Sequence, residues 1–208
     1  MAQQAESDTY KSISAPSQGI YKDKGSKFLS FAFPVQTEEE VKPIIDSLKK
    51  EYYDARHHCY AYRIGQFGDI WRANDDGEPS GTAGKPILGQ LLSNDITDCL
   101  IVVVRYFGGT KLGVSGLIQA YREAAADVLD SADVVERTVD TVVRVDFSYM
   151  VMNDVMRIIK DESPKVVEQT FDNLCTVTLA IRQSKAEQLL GKLSKVSGAT
   201  IEVISNEL

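Results

Sequence analysis

The spacing of hydrophobic positions changes several times along the chain. "KFLSFAFPV", residues 27–35, alternates as a half-buried strand does. "TEEEVKPIIDSLKKEY", 37–52, shifts to spacings of three and four and predicts a helix. Thr37 is its expected cap, and glutamates fill the first turn, where the helix dipole favours them. "HHCYAYRIG", 57–65, alternates again, and residues 67–72 are expected to pair with it as a hairpin. A polar, glycine-rich loop, "NDDGEPSGTAGKP" at 74–86, leads into a helix through "ILGQLL". The run "CLIVVV", 99–104, is far too short to cross a bilayer and reads as a strand buried on both faces. Between about 113 and 131, Leu117, Ala120, Tyr121, Ala124, Val128 and Leu129 share one helical face.

After "SADVVERT" the pattern restarts. "TVVRVDFSY" predicts a strand, "VMNDVMRIIKDE" a helix, and "KVVEQTF" and "LCTVTLAIR" two strands. "SKAEQLLGKLSKVSG" is then a helix with Ser184 as cap and Gly198 at its far end, before a last strand, "ATIEVIS". This β-α-β-β-α-β order is the ferredoxin-like arrangement. The expected class is α+β with two domains, covering residues 20–136 and 137–208, after a loose polar tail at 1–19.

Composition narrows the functional classes. At 43% hydrophobic and 25% charged, the chain has the make-up of a soluble globular protein. "MAQQAESDTYKS" lacks the apolar core of a signal peptide, and Cys59, Cys99 and Cys175 are odd in number with no CxxC pair. Both features predict a cytoplasmic protein with neither a disulfide framework nor a zinc site. The net charge is −7, with 14 basic and 20 acidic residues up to Glu136 and 9 and 10 after it. Neither half carries a basic field, so DNA is not an expected partner and any anion site is local.

One local candidate stands out. "VVVRYFGGTKLGVSGLIQAYREA", 102–124, runs from a buried strand through Arg105, Tyr106, Phe107, Gly108, Gly109 and Lys111 into a helix. Amides at a helix start, with glycines and a lysine beside them, suit an anion. The spacing matches neither the P-loop nor GxGxxG. Close packing of strand on helix explains the glycines equally well. Lys22, Lys24 and Lys27, in "KDKGSKF", form either a small phosphate-contacting cluster or a solvated edge.

The polar loop is a second candidate, with Asp75, Asp76, Glu78, Ser80 and Thr82. Its acids lack the EF-hand spacing, and Ser80 or Thr82 taken singly reads as a helix cap. His57 and His58 point to opposite faces of a strand and do not chelate one metal together. A dyad of His57 with Cys59 is disfavoured, because strand neighbours two apart seldom form one. No catalytic residue, metal or cofactor is assigned.

"GKPILGQLLSNDITDCLIVVVRYFGGTKLG", 84–113, resembles the signature of the IMPACT family in its bacterial, YigZ-type form. "GSKF", "HHCYAYR" and "DDGEPSGTAG" extend the resemblance over roughly residues 20–130. It implies a first domain with the fold of the second domain of ribosomal protein S-five, and a small ferredoxin-like second domain. Eukaryotic relatives regulate translation during amino-acid starvation by competing for an activator of a stress kinase, and they carry an extra N-terminal partner-binding domain. The short polar tail here does not correspond to that domain, so only the shared core is carried over.

The implied role is non-enzymatic and linked to translation regulation, by binding RNA or a ribosomal or translation-factor surface. Arg105, Lys111 and the amides near Gly108 and Gly109 would meet phosphate, and Tyr106 or Phe107 would stack on bases. Two alternatives stay open. One is a nucleotide-binding enzyme with Asp75, Asp76 or Glu78 on magnesium and Ser80 to Gly84 lining the nucleotide. The other is a purely protein-binding regulator, which the acidic charge suits.

Overall fold

A computed structural model describes residues 8–172 and 174–205. They form two compact units, residues 10–137 and residues 138–205 with 8–9. The class is α+β. No described helix is long and apolar enough to cross a membrane.

The first unit is built on an antiparallel sheet of five strands. These are β2 (Ser17–Asp23), β3 (Ser26–Pro34), β4 (His57–Ile64), β5 (Ile70–Asn74) and β6 (Cys99–Tyr106), in the order β2-β3-β6-β4-β5. Strand β1 (Thr9–Ile13) pairs separately with β7 (Val134–Thr138). Helix α1 (Glu38–Glu51) covers one face of the sheet; α2 (Gly84–Ser93) and α3 (Gly113–Asp130) cover the other.

Central strand β6 explains its own sequence. Cys99, Ile101 and Val103 face a core containing Ile87, Leu91, Tyr121 and Ala124, while Leu100, Val102 and Val104 face Val41, Ile45 and Leu48. With helices on both sides the strand has no wet face, so its hydrophobic run does not alternate. Each of its buried aliphatic side chains contributes roughly 1.5–3 kcal/mol.

Several expectations are corrected. The loose tail at 1–19 is replaced, within the described residues, by β1 and the start of β2; residues 1–7 lie outside them. Backbone pairing holds these polar segments, and Ile13 anchors them in the core. "VVERT", which no predicted element covers, is β7.

Thr37 sits at the cap position of α1 without a side-chain cap bond; Glu40 instead accepts from the Gln36 amide at 2.8 Å. The hairpin strand after β4 runs from Ile70 to Asn74, later than expected. Neither Ser80 nor Thr82 caps α2. The Asp75 carboxylate does so, accepting from the amides of Gly81, Ala83 and Gly84 at 2.8, 3.0 and 2.8 Å.

In the second unit, β8 (Asp140–Phe147), α4 (Met152–Glu162), β9 (Lys165–Phe171), β10 (Cys175–Arg182), α5 (Gln183–Leu193) and β11 (Ala199–Ser205) follow in order. The antiparallel sheet runs β11-β8-β10-β9, the ferredoxin-like order. Val143, Val145, Phe147, Val177 and Leu179 pack against α4 and α5. On the alternate positions, Arg144 lies between Thr178 and Glu202, and Asp146 between Thr176 and Thr200. Ser184 lies in the first turn of α5 rather than at its cap. Asp8 takes its amide at 3.3 Å and the Arg182 guanidinium at 2.6 and 2.7 Å. These bonds, Arg182 foremost, hold the Asp8 carboxyl well below the usual carboxylate range.

Candidate functional site

The site forms where β6 ends. Arg105 stands opposite Phe28 on β3 and His57 on β4, so three strands bring these side chains to one rung of the sheet. The polar loop folds over the same rung and lowers Glu78 onto it. Arg105 Nη1 donates to Glu78 Oε1 at 2.5 Å, and the Tyr121 hydroxyl of α3 donates to the same oxygen at 2.9 Å. The Arg105 and Glu78 side chains are 8% and 4% exposed. The guanidinium lies between two rings, with Cζ 5.5 Å from the centroid of Phe28 and 5.8 Å from that of Phe107.

Above this floor opens a cleft of about 850 Å³. Residues 54–57, Glu78, Pro79, residues 105–107 and the start of α3 line it. Its volume suits a nucleotide-sized ligand. The two segments singled out in the sequence therefore meet in one place, since His57 and Glu78 share the cleft with Arg105, Tyr106, Phe107 and Lys111.

The charges are arranged differently from the sequence reading. Arg105 is committed to Glu78. Arg56 and Lys111 are exposed and have no ion-pair partner among the described residues. Arg56 was missed because nothing marks it in sequence; it lies 49 positions before Arg105 and reaches the cleft through the β4–β6 pairing. Helix α3 opens on Gly113, at φ 73°, with neither a side-chain cap nor an acid in its first turn. Its first amides are left to solvent or a ligand.

The remaining candidates separate clearly. The Gly108 amide donates to Ser26 Oγ at 3.1 Å, so it is spent within the fold. Gly109, at φ 89°, has open space where a Cβ would stand. Tyr106 donates to Asp54 at 2.7 Å, and that bond lifts its pKa to about 12. Phe107 is 59% exposed and offers the freer ring. Lys24 and Lys27 lie outside the cleft lining. Lys24 and Gly25, at φ 43° and 83°, form the two-residue turn between β2 and β3, a type I′ hairpin geometry.

The three acids of the polar loop diverge. Asp75 caps α2; against burial, which raises its pKa, the amides of Gly81, Gly84 and Ala83 hold it below the usual carboxylate value. Asp76 accepts from the His58 amide at 2.7 Å and from Lys49 at 3.2 Å, and its carbonyl lies 2.9 Å from His57 Nδ1. Glu78 belongs to Arg105 and Tyr121. No group of three potential metal-ligating side chains converges among the described residues. Ser80 is exposed, and the Thr82 hydroxyl donates to the Pro79 carbonyl at 2.6 Å.

Cys59 Sγ lies 3.0 Å from the Asp75 carbonyl oxygen and 3.2 Å from the Tyr121 hydroxyl. Burial pushes its thiol pKa up, and that of Cys99 up to about 12. A thiolate nucleophile is therefore disfavoured. Since all three cysteines are buried, a chromogenic disulfide reagent at pH 8 should find no fast-reacting thiol in the folded chain and three after denaturation. A fast equivalent that Cys59→Ser removes would reinstate the thiol dyad.

Comparison with known proteins adds independent findings. The family model described as the Impact N-terminal domain matches residues 24–129. The Bacillus subtilis IMPACT family member YvyE is 47% identical over 112 residues, 54% of this chain and 52% of that protein. The Escherichia coli IMPACT family member YigZ is 29% identical over 195 residues, 93% of this chain and 96% of that protein. A solved crystal structure of a hypothetical protein, 27% identical, superposes with a TM-score of 0.73 over 96% of this chain and 99% of its own.

Proposed function

The chain belongs to the family defined by the Impact N-terminal domain, and on that premise we propose that it is a non-enzymatic protein linked to translation whose first unit docks RNA in the cleft at the start of α3. The link to translation comes from the family resemblance; the docking chemistry comes from the cleft. Arg56 and Lys111 would meet phosphate, with the uncapped amides at Gly113 and Val114 behind them. Phe107 would take a base. The observation that carries the reading is the pairing of two uncompensated cations with an uncapped helix start and an exposed ring, around one cleft of a chain with net charge −7.

The reading confines binding to a few contacts, and the salt dependence measures them. Wild-type protein should bind labelled single-stranded RNA at low salt, in fluorescence anisotropy, with a modest slope of log K against log salt. Lys111→Ala and Arg56→Ala should each weaken binding evenly across sequences and flatten that slope by about 0.7. Phe107→Ala should weaken binding by about 1–3 kcal/mol and leave the slope alone. If wild type binds no RNA at low salt, or both cation variants bind as it does, the cleft is not an RNA site. A protein-partner role would then take its place.

A further inference from the structure

We propose that Glu78 reads a ribose hydroxyl, so that the cleft selects ribonucleotide over deoxyribonucleotide units. The inference rests on the RNA-docking reading and adds the feature that would tell one nucleic acid from the other. Both hydrogen bonds to Glu78 land on Oε1, from Arg105 at 2.5 Å and Tyr121 at 2.9 Å. Oε2 has no partner among the described residues, although the side chain is 96% buried and lines the cleft. A carboxylate oxygen only accepts, so a ligand group that satisfies it is a donor.

The rest of the cleft says which donor. Phosphate is drawn to Arg56, Lys111 and the start of α3, and the floor offers it no free cation, because Arg105 is paired with Glu78. A ligand that fits both carries an anion at one end and a neutral hydroxyl donor a few bonds away, which describes a ribonucleotide. An acid on a sugar hydroxyl beside a helix start on phosphate is also the division of labour in dinucleotide sites. The 2′-hydroxyl is the group that separates RNA from DNA. Arg105 and Tyr121 hold the carboxylate in place, and Phe28 and Phe107 hold Arg105. Glu78 is thus a rigid acceptor, able to discriminate because its rotamer does not adjust to a wrong ligand.

The test varies the ligand and leaves the protein intact. Ribo, deoxyribo and 2′-O-methyl oligocytidine of one length are titrated by anisotropy, with cytidine and deoxycytidine monophosphates as competitors. Ribo-oligomer should bind about tenfold or more tighter than the other two, the effect of one hydrogen bond to a buried charge. Competition by cytidine monophosphate at concentrations where the deoxy form fails would support the same ribose contact and identify a free nucleotide as a source. Glu78→Gln, with folding checked by thermal melts, should bring the ribo-to-deoxy ratio towards one; should it fail to fold, the ligand series decides alone. Equal binding of all three oligomers, still weakened by Lys111→Ala, would overturn ribose reading and leave RNA docking standing. No binding to any of them would overturn both.

Discussion

Replacing Arg105 by methionine should destabilise the first unit by about 3–5 kcal/mol, the usual consequence of leaving one partner of a buried ion pair alone. The Glu78 side chain is 4% exposed and has the Arg105 guanidinium as its countercharge at 2.5 Å. Without it the carboxylate keeps only the Tyr121 hydroxyl. Pairing the change with Glu78→Leu removes both charges, and the double variant should recover most of the loss, because apolar residues replace buried pairs at little net cost. Urea unfolding followed by tryptophan fluorescence measures this in the right place. Trp71 is the chain's single tryptophan and lies on β5, so the signal follows the first unit. If the methionine variant unfolds at the wild-type midpoint, the pair is not buried in solution and Arg105 is available to phosphate after all.

The second large effect concerns a glycine two residues past the end of β6. A Cβ on Gly108 would stand 1.9 Å from the Gly25 carbonyl carbon and 2.1 Å from the Ser26 nitrogen, both backbone atoms. Gly108→Ala therefore forces the β2–β3 turn away from the end of β6, and also disturbs the bond from the Gly108 amide to Ser26. About 3 kcal/mol or more of stability should be lost. Gly109→Ala is the matched control. Its Cβ meets nothing within 4 Å, so only its left-handed backbone is strained, at about 1 kcal/mol. Equal losses at the two positions would mean that the approach of Gly108 to the turn is not formed in solution.

These two glycines also mark where sequence reasoning reached its limit. Adjacent and chemically identical, they share the same two readings in sequence, bared amides or close packing. In the structure Gly108 is a packing position whose amide is occupied, and Gly109 is the open one. What separates them is the β2–β3 turn, some eighty residues earlier in the chain. Lys24 illustrates the same limit. Its charge leaves a phosphate contact and a solvated edge equally open in sequence, whereas its backbone forms a hairpin turn outside the cleft lining.

The polar loop divides in a similar way. Three acids within four positions bear on a cation only in the enzyme alternative, and chain folding separates them, sending Asp75 to a helix start, Asp76 to β4 and Lys49, and Glu78 to Arg105. Asp75, rather than Ser80 or Thr82, occupies the cap, because the loop doubles back and sets its carboxylate on the amides of Gly81, Ala83 and Gly84.

The sequence alone determined what depends on local periodicity: the α+β class, the restart of the pattern in the second half, and β6 as a strand with two buried faces. Each follows from side chains that repeat at two, or at three to four, residues along a short segment, and burial rewards that repeat wherever the segment packs. It also brought Arg105, Phe107 and Lys111 to attention as an unusual strand end. Only the tertiary structure decided which of their charges are free. Strand pairing set Arg105 beside His57 and under Glu78, which neutralised it, and brought Arg56 to the cleft with no mark in its neighbourhood. Net local charge depends on distances between residues far apart in the chain, and a one-dimensional pattern does not contain those distances.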